Sequence, residues 1–200
     1  MPMSTFRIAL AGTVVAGALL LTACGSSDST DTAGGVSTGS GSPSASSVAA
    51  AFNDADVMFA QMMITHHEQA VTMAGLAATR ASDAEVRSLA EQIKAAQEPE
   101  ITRMRGWLKS WKAPESAGMS MGHGAGMMSD ADMAGLKAAK GTAFDRKFAE
   151  MMIGHHRGAI EMAEDVRKNG RNEAVRQLAG KVITTQSAEV EQLQKIVDRI

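Results

Sequence analysis

Residues 56–75 and 145–164 are one segment written twice, matching at eleven of twenty positions without a gap at an offset of 89 residues. At the centre of each copy stand Met62-Met63-Ile64-Thr65-His66-His67 and Met151-Met152-Ile153-Gly154-His155-His156. The match continues at the same offset through Val86/Val175, Leu89/Leu178, Ala90/Ala179, Gln97/Gln186 and Glu100/Glu189. Such a repeat constrains the fold strongly. One supersecondary unit of this size cannot bury its own apolar face, whereas two copies can cover one another around a pseudo-two-fold axis.

Apolar residues recur at helical spacing and no credible alternating strand pattern occurs, so each unit reads as a helical hairpin. Asn53, with Asp56 at the third position, caps a first helix that runs to about Thr79. Ser82-Asp83-Ala84-Glu85 reads as a capping box opening a second helix that reaches Trp107 to Trp111, with a kink expected at Pro99. Thr142 with Asp145 opens a third helix, Lys168-Asn169-Gly170 ends it, and Asn172 opens a fourth. The expected fold is all-α, an antiparallel four-helix bundle over residues 52–200. Hairpin one would span 52–112, a Met/Gly-rich linker 113–141 and hairpin two 142–200.

The start of the chain reads as processing information. Arg7, an apolar run over 8–21 and Leu21-Thr22-Ala23-Cys24 describe a lipoprotein signal peptide over 1–23, with Cys24 as the lipidated first mature residue. The apolar run is short for a transmembrane span. Residues 24–51 carry little to bury and read as a disordered tether. The expected location is therefore outside the cytoplasm, on the outer face of the cytoplasmic membrane or in the periplasm, held by the lipid. Without residues 1–23 the chain has 19 basic and 22 acidic residues, a balance that gives no reason to expect nucleic acid as a partner. Cys24 is the only cysteine, so soft-metal chemistry must use other donors. Fifteen methionines are present, thirteen of them after the signal.

Helical arithmetic places donors together. At about 100° per residue, Phe59, Met62, His66, Ala70 and Met73 share one face, with Met63 and His67 on its edge. Met151, His155 and Met162 share the corresponding face, with Met152 and His156 beside it. Thioethers suit monovalent copper or silver, and imidazole accepts copper in either oxidation state; zinc would call for more histidine, cysteine or carboxylate. Thioethers also need no deprotonation to bind. Copper, chiefly Cu(I), is therefore the expected ion. For any single residue, core packing is the better explanation; the doubled constellation favours metal. His66 and His155, each sharing a face with two methionines, are better placed as ligands than His67 and His156.

Gln97 and Glu100, and Gln186 and Glu189, fall within the apolar stripes of the second helices, where polar groups need partners. The expectation is that Glu100 and Glu189 accept an imidazole N–H and leave the other ring nitrogen for metal. The linker carries Met119, Met121, His123, Met127 and Met128 among glycines, an accessory capture loop on this reading.

The doubled pattern Asp-x-x-Phe-Ala-x-Met-Met-Ile-x-His-His, with the later Gln-x-x-Glu, resembles the domain of unknown function family 305 over about residues 52–200. That resemblance implies a ferritin-like four-helix bundle, usually exported. It also implies, by way of the CopM-type periplasmic members, copper binding and tolerance, and lays the family motif on the ten Met and His residues of the two copies. Pro99 has Ala188 as its counterpart, so the halves need not bind alike.

The expected function is copper sequestration or buffering outside the cell, without catalysis. A ferritin-like di-iron or di-manganese oxidase is the enzymatic alternative, but neither motif helix carries Glu-x-x-His. A structural or interaction lipoprotein is the third reading. A copper-trafficking partner and a homodimer, using the arc from Met62 through His67 to Ile64 and Val71, stay open.

Overall fold

The computed structural model describes residues 51–116 and 125–200, which form five helices. The signal segment, Cys24 and all but the last residue of the tether lie outside the described residues. Helix α1 is Asp54–Arg80, α2 Ala84–Trp111, α3 Asp130–Ala138, α4 Thr142–Asn169 and α5 Glu173–Arg199. Short connections fold α1 back on α2 and α4 back on α5, and the two hairpins meet chiefly through α1 against α4. No described helix is long and apolar enough to cross a membrane.

Asn53 caps α1 as expected, in a capping box with Asp56. Two other starts differ from expectation. Asp83, not Ser82, caps α2 by accepting from the Glu85 and Val86 amides. Asp145 does not cap its own helix: α4 begins at Thr142, as expected, but its N-cap is Gly141 and no side chain caps it. Instead Asp145 accepts from the backbone N–H of Ser82 (3.1 Å) and Asp83 (3.0 Å) and from the Ser82 hydroxyl. Asp56 does the same for the other hairpin, accepting from Arg171 N–H and Asn172 N–H, both at 3.0 Å. Each copy's leading aspartate thus ties down the turn of the opposite copy. A buried carboxylate accepting several backbone N–H bonds satisfies donors that would otherwise be stranded.

Helix α2 runs unbroken through Pro99. The linker is also more ordered than its composition suggests, because α3 interrupts it, capped by Ser129 in a box with Asp132. Its Leu136 is fully buried.

The core divides into two apolar clusters. One joins Ala70, Met73, Val86 and Ile93 to Phe144, Phe148, Met152, Leu193 and Ile196. The other joins Phe59, Met63, Ile64 and Met104 to Ala159, Val166, Leu178 and Val182. Full burial of each Val, Leu, Ile, Phe or Met side chain among them contributes roughly 1.5–3 kcal/mol. In every long helix the positions between the clusters are polar and buried: His66 and His67, Gln97 and Glu100, His155 and His156, Gln186 and Glu189. The bundle has a polar waist between two apolar ends.

Candidate metal centre

The waist brings both copies of the repeat together. The four histidines are at most 1% exposed. The rings of His66 and His155 meet across the α1–α4 contact, centroids 3.7 Å apart and planes tilted by 41°, and the His155 and His156 rings are 6.4 Å apart. Burial is the main reason that His66 and His155 resist protonation, to about 3 and about 2 respectively; neighbouring imidazoles add to it, His67 first for His66 and His66 first for His155. Both rings are therefore neutral at ordinary pH, the form in which imidazole binds a metal.

The expected carboxylate partners are in place, on the outer histidine of each pair. His67 Nε2 donates to Glu100 Oε2 at 3.0 Å. His156 Nε2 lies 2.8 Å from Glu189 Oε2, a close contact whose N–H is not aligned on the oxygen. Burial pushes the Glu100 carboxyl up, but His67 together with Lys181, whose Nζ is 3.2 Å from Oε1, outweighs burial and holds it below its ordinary value. The position matching Lys181 in the first copy is Gln92, so the two halves differ in charge. Oε1 of Gln97 and of Gln186 is buried without a hydrogen-bond partner.

The waist offers free donor atoms, although among the described residues no three His, Cys, Asp or Glu side chains are already gathered as a metal site. Nδ1 of all four histidines is buried and unpartnered, as is Nε2 of His155. A stranded buried polar atom costs about 1–3 kcal/mol, and this waist gathers several. With Nε2 of His67 turned to Glu100, Nδ1 is the ring nitrogen left for a metal, and a carboxylate on the far nitrogen is the usual orienting partner of a metal-binding imidazole.

The methionines divide. Met63 and Met152 are fully buried in the two apolar clusters, as is Met73. Met62 and Met162, one from each copy, line a surface groove of about 580 Å³ with Met58 and Ala125. Met151 is partly exposed and packs on the cluster that contains Met73. The pseudo-symmetric pairs are thus Met62 with Met162 on one side of the waist and Met151 with Met73 on the other. Within the arc considered for a dimer, His67 and Ile64 are buried in the bundle, while Met62 and Val71 stay partly exposed.

The linker returns to this waist. Gly126, at φ +79°, lies so close to α4 that a Cβ there would stand 2.7 Å from the Gly154 carbonyl oxygen, and one on Gly158 would stand 2.0 Å from the Ala125 carbonyl oxygen. His66 Nε2 donates to that Ala125 carbonyl at 3.2 Å. The Gln69 amide grips Met128 twice, donating to its carbonyl at 2.9 Å and accepting its N–H at 2.8 Å. Residues 125–128 therefore form a strap across the His66–His155 pair, seated on Gly158 of one copy and held by the matching Gln69 of the other. Met127 and Met128 are partly buried in it, and Met128 packs on the first apolar cluster. Met119, Met121 and His123 lie outside the described residues. Sequence reasoning missed Met58, Lys181, Gln69 and Gly158, none of which is repeated.

A helical hairpin duplicated around buried His-His pairs defines the class, and the family follows from comparison. The model of the Domain of unknown function (DUF305) matches residues 56–197, and the chain belongs to that family. Among curated proteins none matches. A DUF305 fragment from Deinococcus radiodurans is 31% identical, with a TM-score of 0.68 over 74% of this chain and 98% of its own. A DUF305 protein from Streptomyces coelicolor, described as secreted, is 31% identical, with a TM-score of 0.67 over 72% and 93%. CopM in its Cu(II)-bound form is 35% identical, with a TM-score of 0.64 over 72% and 96%, and its Cu(I)- and silver-bound forms are similar to this chain as well.

Proposed function

We propose that this chain is an exported copper-binding protein that sequesters or buffers copper, principally as Cu(I) and with silver as a competing ion, and that it has no catalytic role. The observation that carries this reading is the set of unpartnered Nδ1 atoms on four buried histidines, drawn from both copies and flanked by thioethers. Likeness to CopM in copper- and silver-bound forms supports the same chemistry. Neutral imidazoles and thioethers bind without releasing protons in an oxidising exterior, where a thiolate would be lost. Cys24 as a lipid anchor would keep the bundle at the membrane surface, within reach of a copper-trafficking partner.

The test is competition between the purified chain and a Cu(I) chelator, together with metal analysis. The chain should withdraw copper from the chelator, and the quadruple change His66→Ala, His67→Ala, His155→Ala and His156→Ala should abolish that. Affinity untouched by the quadruple change would overturn the reading, and tightly held iron would favour an oxidase.

A further inference from the structure

We propose that Met58, Met62 and Met162, rimmed by Asp54, Glu161 and Asp165, form a capture site for a soft monovalent cation in the open groove beside the waist. This deepens the copper-binding reading and rests on it.

All six residues line one groove, whose wall also includes Ala125, the residue whose carbonyl accepts the His66 N–H. Met58 and Met62 are one turn apart on α1, and Met162 comes from α4. Met58 is 41% exposed and is the one large apolar side chain left exposed among the described residues. An exposed thioether gains nothing from the core, but as a neutral soft donor it suits Cu(I) or Ag(I).

The pseudo-symmetry supplies the control. At the offset of 89, the counterparts of Met62 and Met162 are Met151 and Met73, yet the counterpart of Met58 is Lys147. Asp54, Glu161 and Asp165 correspond to Ala143, Thr72 and Leu76, so the other side has none of the three acids. That other side is also covered. Thr72 and Leu76 face α3 across a smaller groove with Asp130, Met133 and Lys137, where the single acid is offset by a lysine, and Met73 is fully buried. The exposed thioether of Met58 and a rim of three acids therefore occur together in the half of the α1–α4 groove that α3 leaves uncovered. Carboxylates around a cleft raise the local concentration of cations, and the thioethers select the soft ones among them.

The test is a titration of the full chain, carrying 13C-methyl methionine, with Ag(I), which is diamagnetic and redox-inert. The methyl signals of Met58, Met62 and Met162 should shift together, with Met58 assigned by its loss in Met58→Leu. In stopped-flow loading from a Cu(I) chelate, Met58→Lys, which copies Lys147, should slow uptake by about tenfold or more, the scale of electrostatic steering. Circular dichroism of this variant should match the parent, since the side chain is exposed. A Met58 methyl that stays still while other methionine or histidine signals move would overturn the capture site and leave the copper reading standing. Silence of every methionine and histidine signal would overturn both.

Discussion

Glu100 shows what one carboxylate does in the waist. It accepts from His67 and is held charged by Lys181, so it fixes which ring nitrogen of His67 carries the proton. Glu100→Gln should lower Cu(I) affinity by about 10–100-fold, as loss of an orienting partner usually does, while helicity is kept; chelator competition with parallel circular dichroism measures both. The buried histidines also set a pH dependence for the metal-free chain. In the folded state His66 and His155 stay unprotonated down to about 3 and about 2, whereas in the unfolded chain they take up protons near the ordinary value of 6.5. The unfolded state then binds more protons throughout that window, so stability should fall as pH drops below about 6.5 and continue to fall toward about 3. Thermal melts across that range should show it, and His155→Leu should make the slope shallower. At this scale the sequence was partly legible. Duplication marked both histidine pairs and both glutamates, but which histidine meets the glutamate depends on how α1 lies on α2, and no spacing within one helix encodes that. Met58 was invisible for the opposite reason, being unrepeated.

At the scale of elements, the hairpins followed from capping residues and periodicity, whereas the linker did not. Its glycines suggested irregular chain, yet Ser129 and Asp132 build a capping box and Leu136 anchors α3 in the core. That box was present in the sequence and was masked by the methionine-glycine run before it. Asp145 was misread because an aspartate at the third position looks the same whether it serves its own helix or the turn of another. The strap depends on Gly158, where backbone meets backbone more closely than any side chain allows. Gly158→Val should lift residues 125–128 off α4. Hydrogen exchange at Met128 N–H should then accelerate and copper should leave the chain faster, while the apolar clusters keep the bundle folded. Unchanged exchange and release would show that the strap bears no load at the site.

For the whole molecule, duplication places a polar layer where the two copies meet and leaves an apolar cluster at each end. The ends supply the stability that lets the waist hold unpartnered nitrogens in a buried layer. Symmetry is then broken three times, by Lys181 beside Glu100, by the strap across the His66–His155 pair with α3 over one half of the α1–α4 groove, and by Met58 with its acids in the other half. The family, the fold and the pairing of the buried histidines with glutamates could be read from the repeat. The asymmetry could not, since it arises from positions where the copies differ. X-ray absorption at the copper edge of the Cu(I)-loaded chain tests the central claim most directly. A shell containing both imidazole nitrogen and thioether sulfur, lost in the quadruple histidine variant, is predicted; copper bound by light atoms alone, or a shell unchanged in that variant, would contradict it.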